Sequence, residues 1–238
     1  MPIILAIETS SELASCALLW GERVLSRESS GVRTHSQSVL PMVQELLAES
    51  GVKLAEVEAI AFGAGPGSFT GVRTACGVAQ GLAYGLDLPV LPLITLEAMA
   101  EACRAKSGAT EVLVVLDARM SEVYWAQYRF DGAWRAVVEP VLSAPGAVQP
   151  LAADSLAACG NGFAAYPEAF AGKPFAEHAD AGIVPHAREL ARIGAAALAA
   201  GQGVPAAQAQ PLYLRNKIAY TSAERLVINA AKAAGAAP

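Results

Sequence analysis

The sequence predicts an α/β fold whose first hundred residues run βββαβαβα. Short apolar runs divided by turn residues open the chain, a glycine-rich loop then joins an all-apolar run to a helical pattern, and helical periodicity returns further on. With 238 residues there is room for one or two domains and a sizeable core. The hydrophobic share is 54%, yet 51 residues are Ala, so the mean hydropathy of +0.37 reflects small side chains and excludes a bilayer-length helix. The N-terminal apolar run stops at Glu8 with no basic residue before it, so it reads as a strand of a cytoplasmic protein and not as a signal peptide. Four scattered cysteines, Cys16, Cys76, Cys103 and Cys159, contain no CxxC and read as buried reduced thiols.

Residues 3–7, 15–20 and 24–28 read as an antiparallel meander, the last two joined across Gly21-Glu22. Between the first two, Glu8-Thr9-Ser10-Ser11-Glu12 carries hydroxyls and backbone N–H groups that suit either a polar turn or a phosphate-sized hollow. A helix follows, with the capping-box pattern Thr34-x-x-Gln37, apolar Val39, Leu40, Val43, Leu46 and Leu47, and Gly51 to stop it. Pro41 falls inside this pattern, so the helix either starts just before it or kinks there. Residues 59–63 predict a strand buried on both faces, 70–84 a second helix and 89–94 a fifth strand. Thr95 is expected to cap a third helix through Leu96, Met99, Ala100 and Cys103. Antiparallel first and parallel later, this order is one that a ribonuclease H-like sheet uses.

Past Gly108 the pattern weakens. Residues 112–116 and 122–128 read as a hairpin joined by Asp117-Ala118-Arg119-Met120-Ser121. From 139 to 205 Ala, Pro and Gly dominate; 187–200 is the clearest helix there, and 224–234 suits another before a frayed tail.

The loop Gly63-Ala64-Gly65-Pro66-Gly67-Ser68-Phe69-Thr70-Gly71 lies between strand and helix, where free N–H groups and the helix dipole favour an anion. It lacks the third glycine of a dinucleotide fingerprint and the Gly-Lys-Ser/Thr of a Walker A loop. A loop stiffened by Pro66 that aims Phe69 and Arg73 at a partner suits the residues as well. In the helix behind it, Gly77, Gly81 and Gly85 recur every four residues. Each interior glycine costs about 1 kcal/mol relative to Ala, so the stripe calls for close helix approach, either within the domain or to another chain.

Residues for chemistry are sparse. His35, His178 and His186 form neither HExxH nor an i, i+4 pair, and no GxSxG occurs, so neither a metal site nor a catalytic residue is assigned. Asp117, Arg119 and Glu122 suit an acid–base constellation or a salt-bridged hairpin tip. Cys159-Gly160-Asn161-Gly162 is another tight loop. Seventeen Lys and Arg against 22 Asp and Glu give a net charge of −5, opposite in sign to a phosphate-neutralising surface, so the chain alone is expected to bind nucleic acid poorly.

Four strings, Gly65-Pro66-Gly67-Ser68-Phe69-Thr70-Gly71-Val72-Arg73, Ile7-Glu8-Thr9-Ser10, Asp117-Ala118-Arg119-x-x-Glu122-Val123-Tyr124 and Tyr213-Leu214-Arg215, together resemble the bacterial TsaB (YeaZ) family over essentially the whole chain. The resemblance implies the two-lobed actin-like ATPase fold, with ribonuclease H-like lobes expected at 1–108 and 109–238. It implies a role in forming threonylcarbamoyladenosine in transfer RNA, next to the anticodon, as a non-catalytic partner of the TsaD-type transferase. The TsaE ATPase is implied as a third component, with a homodimer when the chain is alone and transfer RNA bound only through the complex. The family's dimer surface comes from the first two helices, which here places Val39, Leu40, Val43, Leu46, Phe69, Arg73, Gly77, Gly81 and Gly85 at a partner. Residual ATP or ADP would sit at Glu8, Thr9 and Ser10, although Glu8 stands where superfamily kinases carry Asp. A small-molecule kinase with Asp117 as base, and a glycoprotease-like peptidase, are the alternatives.

Overall fold

The computed structural model describes residues 2–30 and 35–215; Thr34 of the expected capping box and the expected helix at 224–234 lie outside them. The chain forms two sheets. The first takes the order β3-β2-β1-β4-β5 from β1 (Ile4–Glu8), β2 (Leu13–Trp20), β3 (Arg23–Ser30), β4 (Ala59–Gly65) and β5 (Val90–Ile94). The second takes the order β8-β7-β6-β9 from β6 (Glu111–Asp117), β7 (Val123–Phe130), β8 (Trp134–Ser143) and β9 (Ala157–Cys159). In each, an antiparallel meander of three strands gains a parallel neighbour on its first strand, β4 on β1 and β9 on β6. The same plan twice over agrees with the two-lobed fold that the family resemblance implies, and its first copy follows the strand order read from the first hundred residues.

Alternation along the central strands explains the layers, because successive side chains point to opposite faces. Leu5 and Ile7 of β1, with Ile60, Phe62 and Ala64 of β4, meet α1 (His35–Ser50) and α2 (Phe69–Leu86). Ile4 and Ala6, with Ala59 and Ala61, meet α6 (Ala187–Ala199) on the other face. In the second sheet, Val112, Val114 and Leu116 meet α3 (Thr95–Ser107), while Leu113 and Val115 face Phe163 and Phe170 on the short helices α4 (Gly162–Ala165) and α5 (Pro167–Phe170). So α3, which follows the first sheet in sequence, packs on the second, and α6, which follows the second, returns to the first.

Helix α1 starts at His35 and carries Pro41 inside it, not at its start. Val39, Met42, Val43 and Leu46 are buried against the sheet. At about 1.5–3 kcal/mol each, those four burials outweigh the roughly 3 kcal/mol that an interior proline costs. Gly51 ends the helix in the left-handed region at φ 73°, its N–H donating to the Leu47 carbonyl at 3.0 Å. Strand β8 has no counterpart among the sequence expectations. Its residues are half-buried with scattered exposed ones, so no clean alternation marked it.

Candidate functional site

Between the two lobes lies a cleft of about 360 Å³, walled by the β1–β2 turn, the start of α2, the β6–β7 hairpin tip, Asn161 and residues 212–215. Its floor is the glycine-rich loop clamped onto the β1–β2 turn. Ser68 N–H donates to the Ser10 carbonyl at 2.6 Å, and the Thr9 hydroxyl donates to the Gly71 carbonyl at 2.7 Å. Such contact of backbone on backbone leaves no room for side chains: a Cβ on Gly71 would lie 1.8 Å from the Thr9 carbonyl oxygen. Ser68 caps α2, its hydroxyl accepting from Gly71 N–H at 3.4 Å.

Of the three residues expected at a phosphate, only Ser10 lines the cleft. Glu8 is fully buried, accepting from Ser10 N–H at 2.6 Å and from the Thr95 hydroxyl at 3.3 Å, over a Gly63 that has no side chain to collide with it. Burial pushes its carboxyl above the ordinary range, against the hydrogen bonds that lower it. Thr9 is also fully buried, its hydroxyl spent on Gly71. Among the described residues the Ser10 hydroxyl is buried without a hydrogen-bond partner. Thr95 is the first residue of α3 and not its cap; the residue before it is Ile94, and its hydroxyl is drawn to Glu8.

Phe69 and Arg73 bind within the chain. The Arg73 guanidinium lies 3.6 Å from the Phe69 ring centre, and its Nε donates to the Tyr213 hydroxyl at 2.8 Å. Val39, Val43 and Leu46, expected at a partner, are core residues instead: the apolar period of α1 is the face turned to its own sheet. Leu40 points away and is 47% exposed. Gly77, Gly81 and Gly85 are exposed, and among the described residues no atom comes within 4 Å of where a Cβ on any of them would sit. Among the described residues, then, nothing of its own lobe packs closely on the stripe. Tyr84, 83% exposed, stands one residue before Gly85.

Opposite, the hairpin tip is salt-bridged. Asp117 accepts from Arg119 N–H and from the Tyr166 hydroxyl, both at 2.8 Å, while its own N–H donates to the Asn161 side chain at 2.9 Å. Arg119 pairs with Asp117 at 3.2 Å and with Glu12 across the cleft. Glu122 pairs with Arg215 at 2.6 Å. Arg119, Met120 and Ser121 hold φ of 59°, 56° and 59° in succession, a left-handed run that costs about 1–2 kcal/mol per residue. Asn161, Tyr166 and the bond from Arg215 were not legible as parts of this site. The tight loop at 159–162 was the only hint of Asn161. His35 Nε2 lies 3.2 Å from the Glu12 carbonyl oxygen. Among the described residues no three His, Cys, Asp or Glu side chains converge as metal ligands would.

The family model described as TsaD, tRNA N6-adenosine threonylcarbamoyltransferase, matches residues 23–236. The chain is 39% identical over 223 residues to the tRNA threonylcarbamoyladenosine biosynthesis protein TsaB of Escherichia coli, covering 91% of this chain and 96% of that one. It is 40% identical to TsaB of Haemophilus influenzae, with 91% and 95% covered. Among solved structures, YeaZ from Pseudomonas aeruginosa superposes with a TM-score of 0.84 at 42% identity, over 90% of this chain and all of that one. A second Pseudomonas aeruginosa structure, described as similar to peptidase YeaZ, gives 0.85 at 42% identity with the same coverage.

Proposed function

Because the chain belongs to the TsaB family of tRNA threonylcarbamoyladenosine biosynthesis proteins, we propose that it serves that modification as a non-catalytic partner subunit of a TsaD-type transferase. The observation that carries the non-catalytic part is the state of the cleft. Glu8, the carboxylate beside Ser10, is fully buried and spends its oxygens on Ser10 N–H and the Thr95 hydroxyl, and among the described residues the Ser10 hydroxyl makes no hydrogen bond that would activate it. That same observation argues against a peptidase and against a kinase. Asp117, the base a kinase would need, is tied to Arg119, Tyr166 and its own turn.

The partner surface is the outward face of α2 with Leu40 of α1. Gly77, Gly81 and Gly85 leave the backbone bare there, so a helix of the transferase, or of a second copy when the chain is alone, can approach closely. Phe69 and Arg73 border this face through their stack with Tyr213. The TsaE ATPase and the transfer RNA join only through the complex, and a nucleotide held between the lobes would meet Ser10 but neither Glu8 nor Thr9.

Co-purification with a TsaD homologue, followed by a transfer-RNA modification assay, tests the proposal. Modification that needs both proteins, with Glu8→Gln, Ser10→Ala and Asp117→Asn versions of this chain still supporting it, is expected. Loss of modification in those variants while the complex still forms would place chemistry in this chain and overturn the reading.

A further inference from the structure

Residues 209–215 cross from one lobe to the other within a few residues. At their start the Ala209 carbonyl accepts from Gln80 of α2 at 3.0 Å, and Leu212 N–H donates to the Ala64 carbonyl of β4 at 2.8 Å. Tyr213 accepts from Arg73 on α2. Leu214, half-buried, then packs against the core between the second sheet and α3, and Arg215 reaches the hairpin tip. There its guanidinium donates to Glu122 at 2.6 Å and to the Arg119 carbonyl at 3.4 Å, with Met120 sulfur 3.3 Å away and the Tyr124 ring centre at 6.0 Å.

The tip that Arg215 holds contains the three successive left-handed residues, and such strain persists only where the surroundings impose it. Two charged ties span the cleft to this tip, and exposure ranks them. Arg119 and Glu12 are 69% and 73% exposed, so water screens that pair and it contributes little. Arg215 is 15% exposed and bonds both a carboxylate and a backbone carbonyl, so its charge-assisted bonds carry the tie.

We infer that residues 209–215 are a clasp that sets the opening of the inter-lobe cleft, with Arg215 as its pin on the β6–β7 tip and Leu212 as its anchor on the first lobe. The clasp is a property of the single chain and stands apart from any partner. Without it, the strained tip relaxes, and the turn at 8–12 loses the wall that faces it.

The test uses the full chain carrying Arg215→Ala, and separately the exchanged pair Arg215→Glu with Glu122→Arg. Hydrogen exchange is followed by peptide, and the inter-lobe distance is read by spin labels on Lys53→Cys and Asp131→Cys, one exposed site on each lobe. In Arg215→Ala, exchange at 8–12 and 117–122 is expected to quicken about tenfold, the equivalent of one charge-assisted bond, with β1 and β4 unchanged and a wider distance distribution. The exchanged pair is expected to recover most of the protection. Unchanged exchange and distances, equal acceleration in β1 and β4, or an exchanged pair as open as Arg215→Ala would each overturn the clasp.

Discussion

Gly71 is required by contact and not by backbone conformation. A Cβ there would lie 1.8 Å from the Thr9 carbonyl oxygen, so the smallest side chain collides with backbone, which cannot swing aside as a flexible side chain can. Gly71→Ala is therefore expected to destabilise the chain by about 3 kcal/mol, the upper end of overpacking costs, read as a lower urea midpoint with an unchanged slope. A midpoint equal to that of the parent chain would show that the loop is free to lift. Glu97 makes a second, pH-dependent case. Burial first, and then the Glu101 carboxylate, push it up from 4.5 to about 7. The folded state thus binds this proton more tightly than the unfolded chain does, so its contribution is complete below about pH 4.5 and is lost as pH rises through 7. Glu97→Gln keeps the shape without the charge, and at about pH 8 it is expected to stabilise the fold by about 1–3 kcal/mol, flattening the melting temperature between those limits. An equal pH slope in parent and variant would sink it. Neither residue was legible beforehand: Gly71 was one glycine among several in its loop, and the burial of Glu97 depends on strands that the chain reaches later.

At the scale of elements, periodicity located the helices, but the partner face that the family resemblance implied for α1 fell on its core side. Val39, Val43 and Leu46 repeat at helical spacing whether the apolar stripe meets a sheet or a partner, and the sequence alone does not separate the two. Here the sheet takes them, and Leu40 is left outside. At the glycine stripe of α2, by contrast, each position opens on space among the described residues. That geometry makes Gly81→Leu a clean probe. In the isolated folded chain the new side chain meets none of the described residues and helix propensity improves by somewhat under 1 kcal/mol, whereas in an assembly a branched side chain stands where a backbone must pass, at about 1–3 kcal/mol or more. Thermal melts of the dilute variant are expected to match or slightly exceed those of the parent, while sedimentation velocity shows self-association and transferase binding lost. A melting temperature lower by many degrees, with dimers persisting, would remove α2 from the partner surface. Strand β8 went unseen because a half-buried edge strand carries no strict alternation, and α6 was visible only as an Ala-rich helix. Its smallness has a purpose in packing: at Gly194 a Cβ would lie 3.2 Å from Ala61 and 3.3 Å from Ile4.

For the whole molecule, the two lobes share one strand plan, yet the chain exchanges helices between them, α3 going to the second sheet and α6 back to the first. The chain joined in this way carries a net charge of −5, and that charge decides what it meets first. A surface that binds transfer RNA without help gathers Lys and Arg along one face and interleaves aromatics; here acidic residues exceed basic ones by five. Several cations are already spent, Arg27 on Glu45 and Glu49, Arg129 on Glu111, Arg119 on Glu12 and Asp117, and Arg215 on Glu122. Few counterions would be released from the nucleic acid on contact, so the electrostatic term that supplies most non-specific affinity is small. Filter binding of the isolated chain at physiological salt is expected to show no saturation up to about 10⁻⁴ M, the weak end of non-specific binding. Adding a TsaD homologue is expected to bring affinity whose salt slope belongs to that partner, so that changing surface charges on this chain alters it little. Micromolar binding by the isolated chain, falling steeply with salt, would reveal a basic track on this protein and make it an RNA-binding subunit in its own right.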